Sequence, residues 1–291
     1  MPIFRDPDAF VQAVGPQARI ITTGPFWAQR ATWRNGPISC TTVRMSPVTY
    51  EVDARRTGTT NFVFLDEGTP AFVRNCVSIG PSDMLIWPAR DVVSGYSDHP
   101  SSYSIVAIPD AELARWFDEP LSARRIRPSA LSLTHLRHAH RAAMTYTGIG
   151  AHGLCRAVVE CIESAQDMLR FRPENRPSRA VLRFVRLLDE HRGMPLSLTY
   201  ICAQLAITPR TLERYCVACL GVGPDELEKK HRLHEVRRQL SLAPVGTTVA
   251  DVALIHGFSH LSRFAREYQQ LFGQLPSTTL RASHAVCRKL S

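Results

Sequence analysis

The sequence predicts an α+β protein: a β-rich N-terminal domain that closes with two helices, then an all-α domain containing two helix-turn-helix units. Three observations predict it. Short apolar runs separated by Gly and Pro fill residues 38–108, helical apolar spacings begin near Ala111, and the C-terminal region matches itself at an offset of 51 or 52. A length of 291 residues suits about two domains. With 44% hydrophobic and 21% charged residues, the chain can bury a sizeable core.

The β-rich part comes first. Val48 to Ala54, Asn61 to Leu65, Phe72 to Ile79, Met84 to Trp87 and Tyr103 to Ile108 are rich in Val, Ile, Phe, Tyr and Thr. Gly58, Gly68, Gly80-Pro81-Ser82-Asp83 and His99-Pro100 punctuate them. Short strands at regular spacing with such turns indicate a sandwich or barrel, here over about residues 20–110.

Helices follow over about residues 111–170. Leu131 to Tyr146 reads as one. Leu154, Val158, Cys161, Ile162, Ala165, Met168 and Leu169 recur at spacings of three and four and form the stripe of another. Two such helices suit an antiparallel hairpin whose stripe covers the β-domain or meets a second copy of the chain. Phe171-Arg172-Pro173-Glu174-Asn175-Arg176-Pro177-Ser178 then breaks the pattern and makes 171–178 the linker. The expected domains are therefore 1–170 and 179–291.

The C-terminal domain reads as helical almost throughout. Ser178 can cap a helix carrying Val181, Leu182, Phe184, Val185 and Leu188, which ends near Gly193. Ser197 to Leu220 and Thr248 to Phe272 each read as helix, turn, helix, joined by one long helix from about Pro224 to Leu242.

The self-match pairs Leu198 with Val249, Ile201 with Val252, Cys202 with Ala253 and Ile207 with Phe258 at an offset of 51. After the turn the offset is 52, pairing Leu212 with Phe264, Arg214 with Arg266, Cys216 with Tyr268, Gly221 with Gly273 and Pro224 with Pro276. The second unit thus has a turn one residue longer. A small residue is needed where the two helices cross, and Cys202 and Ala253 supply it. Gly257 can adopt the positive φ that such a turn favours. Thr208 and Ser259 stand where each second helix begins and can cap it.

The positions between the apolar ones face outward. They hold Arg210, Glu213 and Arg214 in the first unit, and His260, Ser262, Arg263 and Arg266 in the second; with the helix-start residues Thr208, Pro209, Thr211, Ser259 and Leu261 these make up the candidate DNA-contact set. A helix-turn-helix places the start of its second helix in the major groove of DNA, where Arg binds guanine and Ser or Thr takes base or phosphate contacts. A connecting helix of 18 residues spans about 27 Å, which suits recognition helices about one DNA turn apart. A plain helical bundle with a duplicated hairpin needs neither arginine at the same outward place in both repeats nor a basic surplus.

Such a surplus is present. Residues 1–177 hold 19 Arg and 17 acids, a net +2, whereas residues 178–291 hold 16 Lys and Arg and 9 acids, a net +7. A phosphate-binding surface requires this concentration of charge, although a solvated basic face also carries it.

Other chemistries have less support. Residues 1–134 contain one histidine, His99, so a metal-binding barrel enzyme lacks its ligands. No phosphate loop, nucleophile elbow or HExxH motif is present. No catalytic residue, metal or cofactor is therefore assigned. His135-Leu136-Arg137-His138-Ala139-His140 places His135 and His138 on one helix face, where a metal is conceivable but an exposed basic helix fits better. The eight cysteines are scattered, and Cys216 and Cys219 form a CxxC with no second pair at zinc-finger spacing. Core positions fit them better than a disulfide framework. Trp27, Trp33, Phe62, Phe64, Trp87 and Arg74 suit an effector pocket or a small β core equally. No run approaches the ~20 apolar residues of a membrane span, and no secretory signal opens the chain, so a cytoplasmic protein is expected.

Residues 179–281 resemble the DNA-binding domain of AraC-type regulators. The first motif is carried by Ser197-Leu198 through Ala206-Ile207-Thr208-Pro209-Arg210-Thr211-Leu212-Glu213-Arg214. Leu220-Gly221-Val222-Gly223-Pro224, Arg232-Leu233 and Val236 match the connecting helix. Thr248-Val249-Ala250-Asp251-Val252-Ala253, Gly257-Phe258, Phe264, Arg266, Tyr268, Phe272-Gly273 and Pro276-Ser277 match the second motif. Within the family, Gly221-Val222-Gly223-Pro224, Val236-Arg237-Arg238, His260-Leu261, Tyr268-Gln269-Gln270-Leu271-Phe272 and Thr279-Leu280 resemble regulators of ethanolamine-utilisation operons. Cys216 departs from the usual aromatic, and Ala206 stands where the turn often has Gly.

The resemblance implies DNA contacts from Arg210, Glu213 and Arg214 and from around His260, Leu261, Ser262 and Arg266. Residues 78–88 resemble part of the family's sensor domain, a cupin-like barrel followed by helices. The function implied is that of an effector-responsive transcription activator. Its partners would be promoter DNA, RNA polymerase, a small-molecule effector and a second copy in a homodimer. The competing reading is a ligand-binding protein whose C-terminal domain makes protein contacts.

Overall fold

The computed structural model describes residues 2–14, 18–22, 24–53, 58–74, 76–88, 92–145, 150–170 and 176–290. It divides into two compact units, Met1–Ile20 with Trp27–Asn175, and Ile21–Phe26 with Arg176–Ser291. Among the described residues, no helix is long and apolar enough to cross a membrane.

The N-terminal elements are β1 (Ile3–Phe4), α1 (Pro7–Val14), β2 (Ala18–Thr22), β3 (Ala28–Asn35), β4 (Ile38–Met45), β5 (Val48–Asp53) and β6 (Thr59–Leu65). There follow β7 (Phe72–Arg74), β8 (Val77–Ile79), β9 (Met84–Pro88), β10 (Val92–Ser97), β11 (Ser101–Pro109), α2 (Asp110–Leu113), β12 (Arg124–Arg127), α3 (Ala130–Thr145), α4 (Ala151–Glu163) and β13 (Asp167–Arg170). Among the described residues they form an eight-stranded sheet, β1-β3-β4-β11-β6-β9-β12-β13, and a five-stranded sheet, β2-β5-β10-β7-β8. Neither order closes on itself, so no closed barrel is seen among these residues.

The strands follow from their side chains. β9 is an unbroken apolar run and is buried along its whole length. The Gly80–Asp83 turn before it is fixed by Asp83, whose carboxylate accepts the Gly80 N–H at 2.8 Å and the Arg127 guanidinium at 3.2 Å. Phe62, Phe64, Met84, Ile86, Val106 and Ile108 of the large sheet pack with Leu133, Leu136 and Ala139 of α3 and with Leu154, Val158 and Cys161 of α4. The helical stripe therefore covers the sheet. Phe62 and Phe64 are core, and Trp87 is buried with Arg74, whose guanidinium lies 5.1 Å from the Trp87 ring centroid.

Three local expectations are corrected. Phe72 to Ile79 is a hairpin rather than one strand, because Cys76 takes the left-handed φ of 62° and turns the chain. Met168 and Leu169 do not extend a helix: α4 ends at Glu163, and β13 pairs with β12, Ile126 opposite Met168. The Gln166 N–H donates to the Arg127 carbonyl at 2.9 Å, which starts that pairing as soon as the helix stops. Finally, Ser178 does not cap a helix from outside. It is buried in the first turn of α5 (Arg176–Glu190), which begins within the segment expected to be a linker. Phe171–Asn175 of that linker, and Ala54, lie outside the described residues.

The C-terminal unit continues with α6 (Leu198–Leu205), α7 (Pro209–Leu220), α8 (Pro224–Ser241), α9 (Val249–Ile255), α10 (Leu261–Phe272) and α11 (Pro276–Leu290). α5 buries Val181, Leu182, Phe184, Val185 and Leu188 and packs on α6 and α7. The connecting helix α8 has 18 residues and sends Leu233, Val236 and Leu240 into one core with Val252, Ala253, Phe264 and Tyr268.

Candidate nucleic-acid interface

Each repeat builds the same turn. In the first, Ser197 caps α6 by accepting the Tyr200 N–H at 3.2 Å, and Ala206 ends it in the left-handed conformation at φ 52°. The Ile207 N–H then donates to the Cys202 carbonyl at 3.2 Å. In the second, Thr248 caps α9 by accepting the Asp251 N–H at 3.1 Å, Gly257 has φ 75°, and the Phe258 N–H donates to the Ala253 carbonyl at 2.9 Å. Both left-handed residues and both turn bonds are 51 residues apart, so the sequence repeat is a repeat of backbone geometry. Cys202 and Ala253 are buried at the crossings, where a larger side chain would hold the helices apart.

The second helices start differently. Thr208 caps α7, its Oγ1 accepting the Thr211 N–H at 3.2 Å, with Pro209 in the first turn where no N–H is needed. The expected counterpart, Ser259, does not cap α10. The capping position is His260, whose side chain makes no capping hydrogen bond. The extra turn residue lies ahead of the cap, so the offset of 52 already applies there. The Leu212 N–H to Thr208 carbonyl bond at 3.0 Å corresponds to the Phe264 N–H to His260 carbonyl bond at 2.9 Å.

The inner faces are buried: Leu212, Tyr215, Cys216, Cys219 and Leu220 in α7, and Phe264, Tyr268 and Leu271 in α10. What remains outside is mostly polar or charged. Thr208, Pro209, Arg210, Glu213 and Arg214 are exposed, and Thr211 is half-buried with its hydroxyl 2.9 Å from that of Thr208. Ser259, His260, Leu261, Ser262, Arg263 and Arg266 are also exposed. Several of these have partners within the fold: the Arg214 guanidinium lies 5.4 Å from the Tyr215 ring centroid. Arg263 donates to Glu267 at 3.0 Å. Glu213 lies over Gly223, so close that a Cβ there would stand 2.8 Å from its Oε1. Gly223 is the N-cap of α8, and a carboxylate there faces the favourable end of the helix dipole.

Within the C-terminal domain, α8 ties the two helix-turn-helix repeats together. Arg232 pairs with Glu228 at 2.8 Å, donates to the His256 carbonyl at 3.0 Å and lies 4.8 Å from the Phe258 ring centroid. Glu228 accepts the Leu196 N–H at 3.3 Å, ahead of the first unit. His231 pairs with Asp189 of α5 at 2.8 Å.

The other sequence candidates fall elsewhere. His135 and His138 are both exposed on α3, and His135 pairs with Glu160 at 2.8 Å, whereas His140 is buried with its ring edge-on to Phe64. Among the described residues, no three His, Cys, Asp or Glu side chains are placed to hold a metal. Burial pushes the Cys216 thiol up to about 12, away from the range of a reactive thiolate.

Two helix-turn-helix units on one connecting helix, each with exposed arginines on its second helix, define a double-headed DNA-binding domain. Comparison with known proteins agrees. A helix-turn-helix domain family matches residues 201–282. XylDLEGF operon transcriptional activator 2 of Pseudomonas putida is 32% identical over 106 residues, covering 36% of this chain and 68% of that protein. The XylDLEGF operon transcriptional activator of the same organism is 31% identical over 100 residues, 34% of this chain but only 31% of the relative. The solved structure of the AraC-like transcriptional activator CuxR aligns with 84% of this chain and 93% of its own at 16% identity and a TM-score of 0.44, too distant to transfer any residue's role. The chain belongs to the AraC/XylS family of helix-turn-helix transcription regulators.

Proposed function

We propose that this protein is a cytoplasmic transcription activator that reads two blocks of promoter DNA about one helical turn apart and responds to a small-molecule effector. The observation that carries the reading is the twofold recurrence of one turn geometry, each time followed by a helix with outward arginines. The net charge of +7 on residues 178–291 supports it. The P. putida relatives are named as operon transcriptional activators, which supports activation.

In this reading Thr208, Pro209, Arg210, Thr211, Glu213 and Arg214 face the first block. Ser259, His260, Leu261, Ser262, Arg263 and Arg266 face the second. Arg214 and Arg266 occupy equivalent places, exposed on α7 and α10, and are the strongest candidates for base contacts. Arg263 must leave Glu267 to reach DNA. Glu213, seated on the start of α8, acts as much in positioning as in contact.

Residues 1–170 are assigned as the sensor and dimerisation domain and, because α5 begins at Arg176, residues 176–291 as the DNA-binding domain, which leaves 171–175 of the expected 171–178 linker between them. Two antiparallel sheets, the larger covered by α3 and α4, support a cupin-like sensor. RNA polymerase and a second copy of the chain are the protein partners proposed. The motifs from Gly221 to Pro224 and from Tyr268 to Phe272 support placement nearest the ethanolamine-operon regulators. The effector shifts promoter binding only by its differential affinity for the active and inactive arrangements.

Binding the purified protein to fragmented DNA of its source organism and sequencing what it retains tests this reading. A few fragments sharing two short blocks one turn apart support it. No specific retention by either the whole chain or residues 176–291, even at low salt, refutes it.

A further inference from the structure

α5 carries a feature that its packing does not explain. Arg176, Arg179, Arg183 and Arg186 are all exposed, while the opposite face buries Val181, Phe184, Val185 and Leu188. At 100° per residue the four arginines fall within about 80° of one another. No acid interrupts them. The acids of the helix, Asp189 and Glu190, are its last two residues, and Asp189 is held by His231 at 2.8 Å.

This stripe works against the helix that carries it. Neighbours three and four residues apart repel when their charges are alike. The first turn of α5 holds Arg176 and Arg179 and no acid, although the helix dipole disfavours cations there. A charge pattern that opposes local stability points to another use.

Its position suggests which. Arg183 donates to the Gln204 carbonyl at 3.1 Å, in the last turn of α6, two residues before the turn that leads into α7. The stripe thus flanks the first helix-turn-helix. It is about 15 Å long, a length over which one DNA strand presents about four phosphates.

We propose that the outer face of α5 is a second DNA surface, on which Arg176, Arg179, Arg183 and Arg186 hold backbone phosphates beside the block faced by α7. This rests on the DNA-binding reading. It adds contacts that set affinity and register without reading sequence.

The test uses the full chain and a 40-base-pair duplex of arbitrary fixed sequence, with affinity measured from 50 to 200 mM salt. Replacing all four arginines by Gln should make the slope of log K against log salt shallower by about 2 to 4, at 0.9 per lost phosphate contact. A second variant, Arg176→Glu with Arg179→Glu, should weaken binding and flatten the slope with the melting temperature unchanged or raised. A loss of binding caused by a damaged fold would instead lower it. An unchanged slope in either folded variant overturns the proposal, and leaves the stripe to an acidic protein surface. If the unmodified chain fails to bind duplex even at 50 mM salt, the helix-turn-helix reading itself falls, and the stripe with it.

Discussion

The two turns present one backbone conformation to two different residues, which makes reciprocal substitutions informative. Ala206 has φ 52° and is exposed; Gly257, its repeat partner, has φ 75°. A left-handed L-residue costs about 1–2 kcal/mol, from the clash of its Cβ with the following carbonyl. Ala206→Gly removes that cost but loosens the unfolded chain by about 0.4–1 kcal/mol. Net stabilisation of about 1 kcal/mol is expected. Gly257→Ala adds the same strain and a Cβ only 2.9 Å from Pro195 Cγ and 3.3 Å from an Arg232 nitrogen, so net destabilisation of about 2 kcal/mol is expected. The four tryptophans lie between Trp27 and Trp116, so their fluorescence is blind to both sites. Hydrogen exchange read by mass spectrometry over residues 198–220 and 249–272 is the suitable assay. Ala206→Gly should slow exchange in the first segment roughly fivefold, and Gly257→Ala should speed it in the second by more. If Ala206→Gly instead speeds exchange, as glycine does at an ordinary exposed position, the left-handed turn of the first unit is wrong.

Three further outcomes follow from the interface and the sheet. Arg214→Ala should cost roughly 1–3 kcal/mol on the best selected duplex and relax preference at one position if the arginine reads a base; equal loss on all sequences assigns it to phosphate. Thr208→Ala should destabilise the first unit by about 1 kcal/mol, whereas Ser259→Ala should be nearly neutral, because only Thr208 caps a helix; equal effects in urea unfolding refute the assignment of His260 as the cap. His140 has its proton affinity lowered by burial, against the opposing pull of Asp66 and of a hydrogen bond to the Thr41 backbone. Its folded-state pKa lies below the unfolded value near 6.5, so the stability it contributes is complete above that pH and is lost as pH falls. His140→Gln should flatten the loss of tryptophan-monitored stability between pH 7 and 5, and an unaltered profile contradicts this.

Most of the C-terminal unit was legible in the sequence, because a duplicated apolar pattern constrains two copies at once. Gly257 marked the left-handed position in the second turn; in the first, Ala206 hides it, and only the family resemblance noted that glycine is usual there. The start of α10 was not legible: Ser259 looks like a cap, and only the hydrogen bonds show that the extra residue precedes the cap. β12 and β13 escaped detection for opposite reasons. Arg124-Arg125-Ile126-Arg127 offers a single apolar residue, and Met168 and Leu169 continue the spacing of Ile162 and Ala165 across the end of a helix. Cys76 turns a hairpin from the left-handed region, a place where sequence reading looks for glycine. The arginines of α5 were readable as spacing, but their relation to the interface depends on the bond from Arg183 to Gln204.

The two units differ in a way that bears on how they share work. The second has a core of rings: Phe258 and Phe264 lie 5.0 Å apart, Tyr268 and Phe272 4.6 Å apart, and the Tyr268 hydroxyl is 2.9 Å from that of Thr279. In the first, the partner of Tyr268 is Cys216, that of Phe264 is Leu212, and the turn carries the strain of Ala206. Smaller side chains at these matched positions and a strained turn make the first helix-turn-helix the softer of the two. α5 packs on α6 and α7, so it is the element best placed to steady that unit. If its arginines hold phosphates as proposed, DNA clamps the softer head from outside. Affinity is then set largely by backbone contacts, and the softer head surrenders part of its own binding energy to ordering. On that account, substitutions that stiffen the first turn should tighten DNA binding as well as stabilise the fold, and Ala206→Gly is the one in which both effects can be measured.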